Sequence, residues 1–289
     1  KILIHMIIWI ASYPKSGNTW VRFFILSILF GNKNEIDLNH LKKIEQFPIK
    51  SQFDNIGLNS KDLKNLKEIS KNWINAQKKI NLSNKIQFYK THNLLCQVEK
   101  NSFTDYKNTL GVIYIVRDPR NIITSITHHY SVDYEKALQL MIDENSSLLE
   151  TSFELDHSNF TYLNSWSNHY KSWKNNSNFQ TLFIKYEDIE EKKEDTFEKI
   201  ITFVNKLSNK NLKIDKNKFI NSVKSTNFSN LRNKELNEGF EESIISSKTG
   251  KKINFFNLGF NNRWQKILTS DIKNKVENKF SKEIKELRY

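Results

Sequence analysis

The chain has 289 residues, with 45 Lys and Arg against 32 Asp and Glu, a formal net charge of +13, 38% hydrophobic residues and one cysteine. The lone thiol, Cys96, excludes an internal disulfide and any cysteine-built metal cluster, and suits a reducing cytoplasm. No apolar run approaches the ~18 residues of a membrane span.

In chain order, Ile2–Ile10 reads as a buried first strand, and its flanks do not resemble those of a secretory leader. Residues 1–5 read as an upstream remnant before Met6. A short loop of small and polar residues follows, Ala11-Ser12-Tyr13-Pro14-Lys15-Ser16-Gly17-Asn18, and a helical pattern opens at Thr19 and runs through Trp20–Phe30. Strand, loop and helix N-terminus together form an anion cradle: loop N–H groups converge where the helix dipole adds roughly half a positive charge. Lys15 adds a full cation. The loop is not the nucleotide-triphosphate type, in which Gly-Lys-Ser/Thr follows a glycine and four residues; here the lysine precedes the only local glycine.

From Gly31 to Lys85 the chain is polar and lysine-rich and reads as helical covering. A strand at Ile86–Tyr89 leads into Lys90-Thr91-His92, and another at Gly111–Val116 leads into Arg117-Asp118-Pro119-Arg120. Only 6 of the basic residues are arginine, so Arg117 and Arg120 stand out as forks suited to phosphate. Helices are expected over 122–130 and 193–208, a fourth strand at Thr181–Ile184, and long covering segments over 131–160 and 229–262. This alternation predicts an α/β fold, a P-loop-like central parallel β-sheet flanked by helices, with ligands at the carboxyl ends of the strands. No linker or repeat divides the chain, which reads as a single domain over 1–289.

Tyr13-Pro14-Lys15-Ser16-Gly17-Asn18-Thr19-Trp20 closely resembles the loop of the sulfotransferases that use 3′-phosphoadenosine 5′-phosphosulfate (PAPS), departing only at Asn18, where threonine is frequent. The resemblance implies that Lys15, Ser16, Gly17, Asn18 and Thr19 hold the 5′-phosphosulfate. It also implies that Arg117 and Ser125, with the family's eight-residue spacing, hold the 3′-phosphate. Tyr186-Glu187-Asp188 and Thr226-Asn227-Phe228 match the family's Tyr-Glu-Asp and Thr-Ser-Phe, which place Tyr186, Thr226 and Phe228 at the adenine beside Trp20. Lys90-Thr91-His92 matches the family's Lys-Thr/Ser-His, so His92 is the expected base, Lys15 the group at the bridging oxygen, and Lys90 either an assistant to the donor or a solvated side chain. No metal is implied. The match frays in the C-terminal element: Gly259, Trp264 and Thr269 keep their spacing, but Asn257 and Leu258 replace the family's Arg-Lys, leaving Lys248, Lys251, Lys252 or Arg263 as candidates to compensate.

Three other readings compete. An ATP-dependent small-molecule kinase would lack its Gly-Lys-Ser/Thr loop and an evident magnesium carboxylate. A nucleic-acid binder has only charge in its favour, and 39 lysines with 37 asparagines look like AT-rich coding bias. A nucleotide-binding but inactive relative is kept open by Asn257-Leu258. The acceptor reads as a small-molecule or carbohydrate hydroxyl bound by Gly31–Lys85 and Ser131–Phe160. His5, His40, His157 and His169 read as surface or packing residues. His128 and His129, adjacent on a helix, point different ways and lack a third metal ligand. Of the family's C-terminal dimer pattern only Thr269 matches, which leaves the oligomeric state open.

Overall fold

The computed structural model describes residues 6–31, 37–148, 156–209, 214–246 and 249–289. Strand β1 (Ile7–Ser12) lies inside a parallel sheet with β2 (Gln87–Thr91), β3 (Thr109–Val116) and β4 (Thr181–Lys185), in the order β2-β1-β3-β4. Trp9 stands opposite Tyr89 on one side and Val112 on the other. Every residue of β1 is buried, which explains its unbroken apolar sequence: a central parallel strand is covered on both faces.

Side-chain alternation along β1 divides the core into two layers. Ile7, Trp9 and Ala11 face Phe47, Phe103 and Trp173, whereas Ile8 and Ile10 face Phe23 and Phe24 of α1 (Asn18–Phe30). The first layer is closed by α2 (Pro119–Tyr130), α3 (Tyr134–Ile142) and α4 (Trp166–Lys174). The second is closed by α5 (Tyr186–Glu191) and α6 (Lys193–Ser208), with the Phe24 and Phe197 rings stacked at 3.8 Å. Burying one such side chain contributes about 1.5–3 kcal/mol. Beyond these lie α7 (Phe228–Glu238) and the C-terminal α8 (Ser270–Glu286), whose Ile272, Val276 and Phe280 join the first layer.

The expected strands and helices are present, with shifted ends. Strand β2 runs to Thr91 instead of stopping at Tyr89, because residues 45–47 line its outer edge: Lys90 N donates to Glu45 O at 2.8 Å and Phe47 N donates to Lys90 O at 2.8 Å. His92 therefore sits immediately past the strand end. The covering between Gly31 and Lys85 is not continuous helix over its described part. Asp37, Asn59 and Asn65 side chains cap three separate short turns there, and Trp73–Asn81 is its longest helix among the described residues. Each Asx side chain that captures a backbone N–H restarts the helix. Residues 1–5 and Lys248 lie outside the described residues.

Candidate active site

The loop leaving β1 turns sharply into α1. Lys15 has φ 65° and Gly17 φ 101°. A side chain at 17 would meet the Tyr186 ring at 2.6 Å, so both the left-handed backbone and the close approach demand glycine. Asn18 Nδ2 reaches back to Ile10 O at 2.8 Å and closes the loop on β1. No side chain caps α1: Trp20 N donates to Gly17 O at 3.0 Å, whereas the N–H groups of Asn18 and Thr19, which line the cavity with Lys15 and Gly17, have no intrahelical acceptor.

That cavity measures about 810 Å³. Lys15 is half-buried as a residue, but its Nζ is buried with no hydrogen-bond partner and lies 3.7 Å from the centre of the Phe255 ring. Burial lowers its pKa to about 7; Arg117 and Lys90 push the same way, against Glu242. Ser16 Oγ is buried and unpartnered too.

Arg117, at the end of β3, donates through Nη1 to Lys15 O at 2.9 Å and to Ser125 Oγ at 3.2 Å, one α2 face away. Its guanidinium lies 3.9 Å over the Tyr186 ring, and its Nε is buried without a partner. Pro119 at the start of α2 and the Asp118 cap, whose carboxylate accepts from Arg120 N, fix where Ser125 emerges. Arg120 does not join Arg117. It is clasped by Asp118 and by Glu277 at 2.8 Å and lies over Trp264, tying α2 to α8.

His92 Nδ1 lies 2.7 Å from Ser12 O. A carbonyl only accepts, so Nδ1 carries the proton and Nε2 keeps its lone pair. Burial, then Lys90, holds the His92 pKa well below 6.5, against the pull of the Ser12 hydrogen bond. His169, expected as packing, has a second role: its Nε2 donates to His92 O at 2.9 Å, and Tyr114 O–H donates to its Nδ1 at 2.8 Å. Burial lowers its pKa to about 4, consistent with this neutral chain.

Glu242 and Arg22 were not legible as site residues. The Glu242 carboxylate accepts from Thr19 Oγ1 at 2.6 Å, Arg22 Nη1 at 2.8 Å and Lys90 Nζ at 3.1 Å. Burial opposes its charge, but Lys90 and Arg22 overcome that and hold its pKa below the usual carboxylate range. Arg22 also donates to Leu41 O and Ile44 O. Lys90 is thus neither free nor solvated. An arginine inside an otherwise apolar α1 is the one sequence signal that could have revealed this cluster.

The remaining expected residues divide. Trp20, Tyr186, Phe228 and Gly259 line the cavity, and Gly259 (φ 53°) packs so closely on Phe228 that a Cβ would meet its ring at 2.5 Å. Thr226 does not reach it: wholly buried, it bonds Ser222 O through Oγ1, and its carbonyl accepts from Trp20 Nε1 at 2.7 Å. It braces Trp20 from behind. Asn257 and Leu258 are in the cavity wall, whereas Arg263 turns to Glu190 at 3.8 Å and Lys251 and Lys252 are exposed. His128 and His129 both line the cavity, and among the described residues no three His, Cys, Asp or Glu side chains gather as a metal site. Among the described residues no helix is long and apolar enough to cross a membrane.

The sequence profile of the sulfotransferase domain matches residues 6–288. Curated relatives include mouse (Mus musculus) sulfotransferase 1 family member D1, 24% identical over 69% of this chain and 59% of the relative. Dog (Canis lupus familiaris) sulfotransferase 1B1 is 27% identical over 68% of this chain and 58% of its own. The matched region thus spans less than two thirds of either relative. In fold, the chain is similar to retinol dehydratase solved with androsterone and the inactive cofactor PAP (TM-score 0.58, 15% identity, 96% of this chain and 80% of that one). It is also similar to mouse sulfotransferase SULT7A1 complexed with PAP (TM-score 0.53, 18% identity, 96% and 84%). With the profile covering nearly its whole length and a parallel sheet whose strand ends carry Lys15, His92 and Arg117, the chain belongs to the sulfotransferase domain family.

Proposed function

We propose that this protein transfers the sulfuryl group of PAPS to a hydroxyl of a small-molecule or carbohydrate acceptor. The observation that carries the reading is the pairing of Lys15, whose buried Nζ has no hydrogen-bond partner, with His92, held as the Nδ1–H tautomer, around one cavity. The buried donors Lys15 Nζ, Ser16 Oγ and Arg117 Nε all lack acceptors, and a phosphosulfate and a 3′-phosphate supply acceptor oxygens. Relatives solved with PAP support the same nucleotide.

The loop N–H groups of residues 15–19, with Ser16, would hold the phosphosulfate, Arg117 and Ser125 the 3′-phosphate, and Trp20, Tyr186, Phe228 and Gly259 the base. When bound, PAPS supplies an SO₃ group on a phosphate leaving group. Lys15 supplies positive charge where negative charge grows on that phosphate, and a buried ammonium does so more effectively than a solvated one. His92 Nε2 takes the acceptor's proton, while Ser12 and His169 fix the ring and its backbone. Lys90, paired with Glu242, steadies that carboxylate, and burial, then the Lys90 charge, keeps the His92 ring neutral.

The test is release of adenosine 3′,5′-bisphosphate from PAPS in the presence of phenolic, steroid and sugar hydroxyl acceptors, without magnesium. Acceptor-dependent release, lost in Lys15→Ala, is expected. No release with any acceptor class contradicts the reading.

A further inference from the structure

Asn262 follows the turn Gly259–Asn261 and carries its side chain against the first two turns of α2. It is 7% exposed. Its Nδ2 donates to Asn121 O at 3.1 Å and to Ser125 Oγ at 3.0 Å, and its Oδ1 accepts from Thr124 Oγ1 at 2.6 Å. The orientation of the amide is fixed by chemistry, because the atom facing the Asn121 carbonyl must be the nitrogen.

Ser125 Oγ therefore receives two hydrogen bonds, from Asn262 Nδ2 and from Arg117 Nη1. A serine hydroxyl has two lone pairs and one hydrogen. Both lone pairs are engaged, so what Ser125 presents to the cavity it lines is its O–H alone. Beside it, Arg117 Nε is buried and unpartnered. This corner offers two donors, the Ser125 O–H and Arg117 Nε, which favours an anion. It is also sparing in charge. Arg120 is engaged by Asp118 and Glu277, Arg263 by Glu190, and Asn257 and Leu258 carry no cation.

Building on the functional reading above, we propose that Asn262 is a positioning residue of the 3′-phosphate subsite. It locks Ser125 as a pure hydrogen-bond donor and thereby sets the preference for adenine nucleotides phosphorylated at the 3′ position. Asn262 does not touch the ligand; it acts through Ser125.

The experiment measures dissociation constants of adenosine 3′,5′-bisphosphate and adenosine 5′-monophosphate for the wild type, Asn262→Ala, Ser125→Ala and the double variant. The wild type prefers the bisphosphate. Each single variant loses about tenfold of that preference, the scale of one hydrogen bond to a charged group, with monophosphate affinity unchanged. The double variant loses no more than Ser125→Ala alone. Asn262→Asp, whose carboxylate accepts from Ser125 and turns its hydrogen away, loses more than Asn262→Ala. A merely structural Asn262 weakens both nucleotides together and leaves their ratio intact, and that result overturns the proposal. A wild type without preference overturns the subsite itself, and the role of Asn262 with it.

Discussion

Glu242 and Lys90 form an ion pair of 3.1 Å at the mouth of the anion loop, and the same carboxylate accepts from Thr19 and Arg22. An acidic side chain thus occupies three donors beside a cradle built for an external anion. Arg22, buried within α1, has no other carboxylate partner among the described ion pairs.

Replacing Glu242 with Gln leaves two buried cations uncompensated. Removing one partner of a buried pair costs about 3–5 kcal/mol. The unliganded melting temperature of Glu242→Gln falls, and the stabilisation by adenosine 3′,5′-bisphosphate grows, because the ligand then supplies the missing negative charge. In the wild type the depressed Glu242 pKa contributes stability at neutral pH that is lost as pH falls through the folded pKa, below about 4. Thermal unfolding from pH 2 to pH 7 reads this directly. A melting curve of Glu242→Gln identical to the wild type removes the cluster from the account.

Lys15 titrates near 7, against 10.5 for an ordinary lysine. Between these values the unfolded chain binds the proton and the folded chain does not, so this group makes folding stability rise with pH across that window. Anion affinity moves the opposite way: it falls as pH climbs above about 7, where Lys15 loses its charge. Lys15→Met flattens both dependences and abolishes turnover. Calorimetric titration with the bisphosphate at pH 6, 7.5 and 9 checks the sign; affinity rising with pH refutes it.

His92→Ala is expected to lower kcat by roughly 10²–10⁴, the usual reach of a general base, with bisphosphate affinity retained. Because its pKa lies well below 6.5, the acid limb of the rate profile lies below pH 6.5 as well. His169→Phe keeps a ring in the space but deletes the donor to His92 O, and lowers kcat by a smaller factor without changing the bisphosphate constant. Loss of nucleotide binding in His92→Ala would make the histidine a binding residue.

Phe24 is wholly buried and stacked on Phe197. Phe24→Ala costs about 3–5 kcal/mol of stability through the cavity it leaves. Chemical denaturation reports it, with an unchanged pH profile of the surviving activity.

The sheet was readable because buried parallel strands must be apolar throughout, as Ile7–Ile10 and Val112–Val116 are. Lys15, His92 and Arg117 were readable because each follows a strand end, where local sequence and position coincide. Thr226 stands outside the cavity lining for the opposite reason: its motif marks a position in the chain, but its hydroxyl is taken by Ser222 O. Glu242, Asn262 and His169 escaped because each acts across more than 75 residues of sequence, on Thr19, Ser125 and His92. The short helices of the covering were hidden because their starts rest on Asn59 and Asn65 side chains capturing particular backbone N–H groups, contacts that a polar, lysine-rich composition does not display.

The most direct test is thermal unfolding with adenosine 3′,5′-bisphosphate, with ATP and magnesium as the comparison. Ligand at about 100 times its dissociation constant adds roughly 2.7 kcal/mol, which raises the midpoint on the order of 5–10 °C for a chain of this size. The account predicts that rise with the bisphosphate alone, indifferent to magnesium and absent in Arg117→Ala. No rise, or one that appears only with ATP and magnesium, would contradict it.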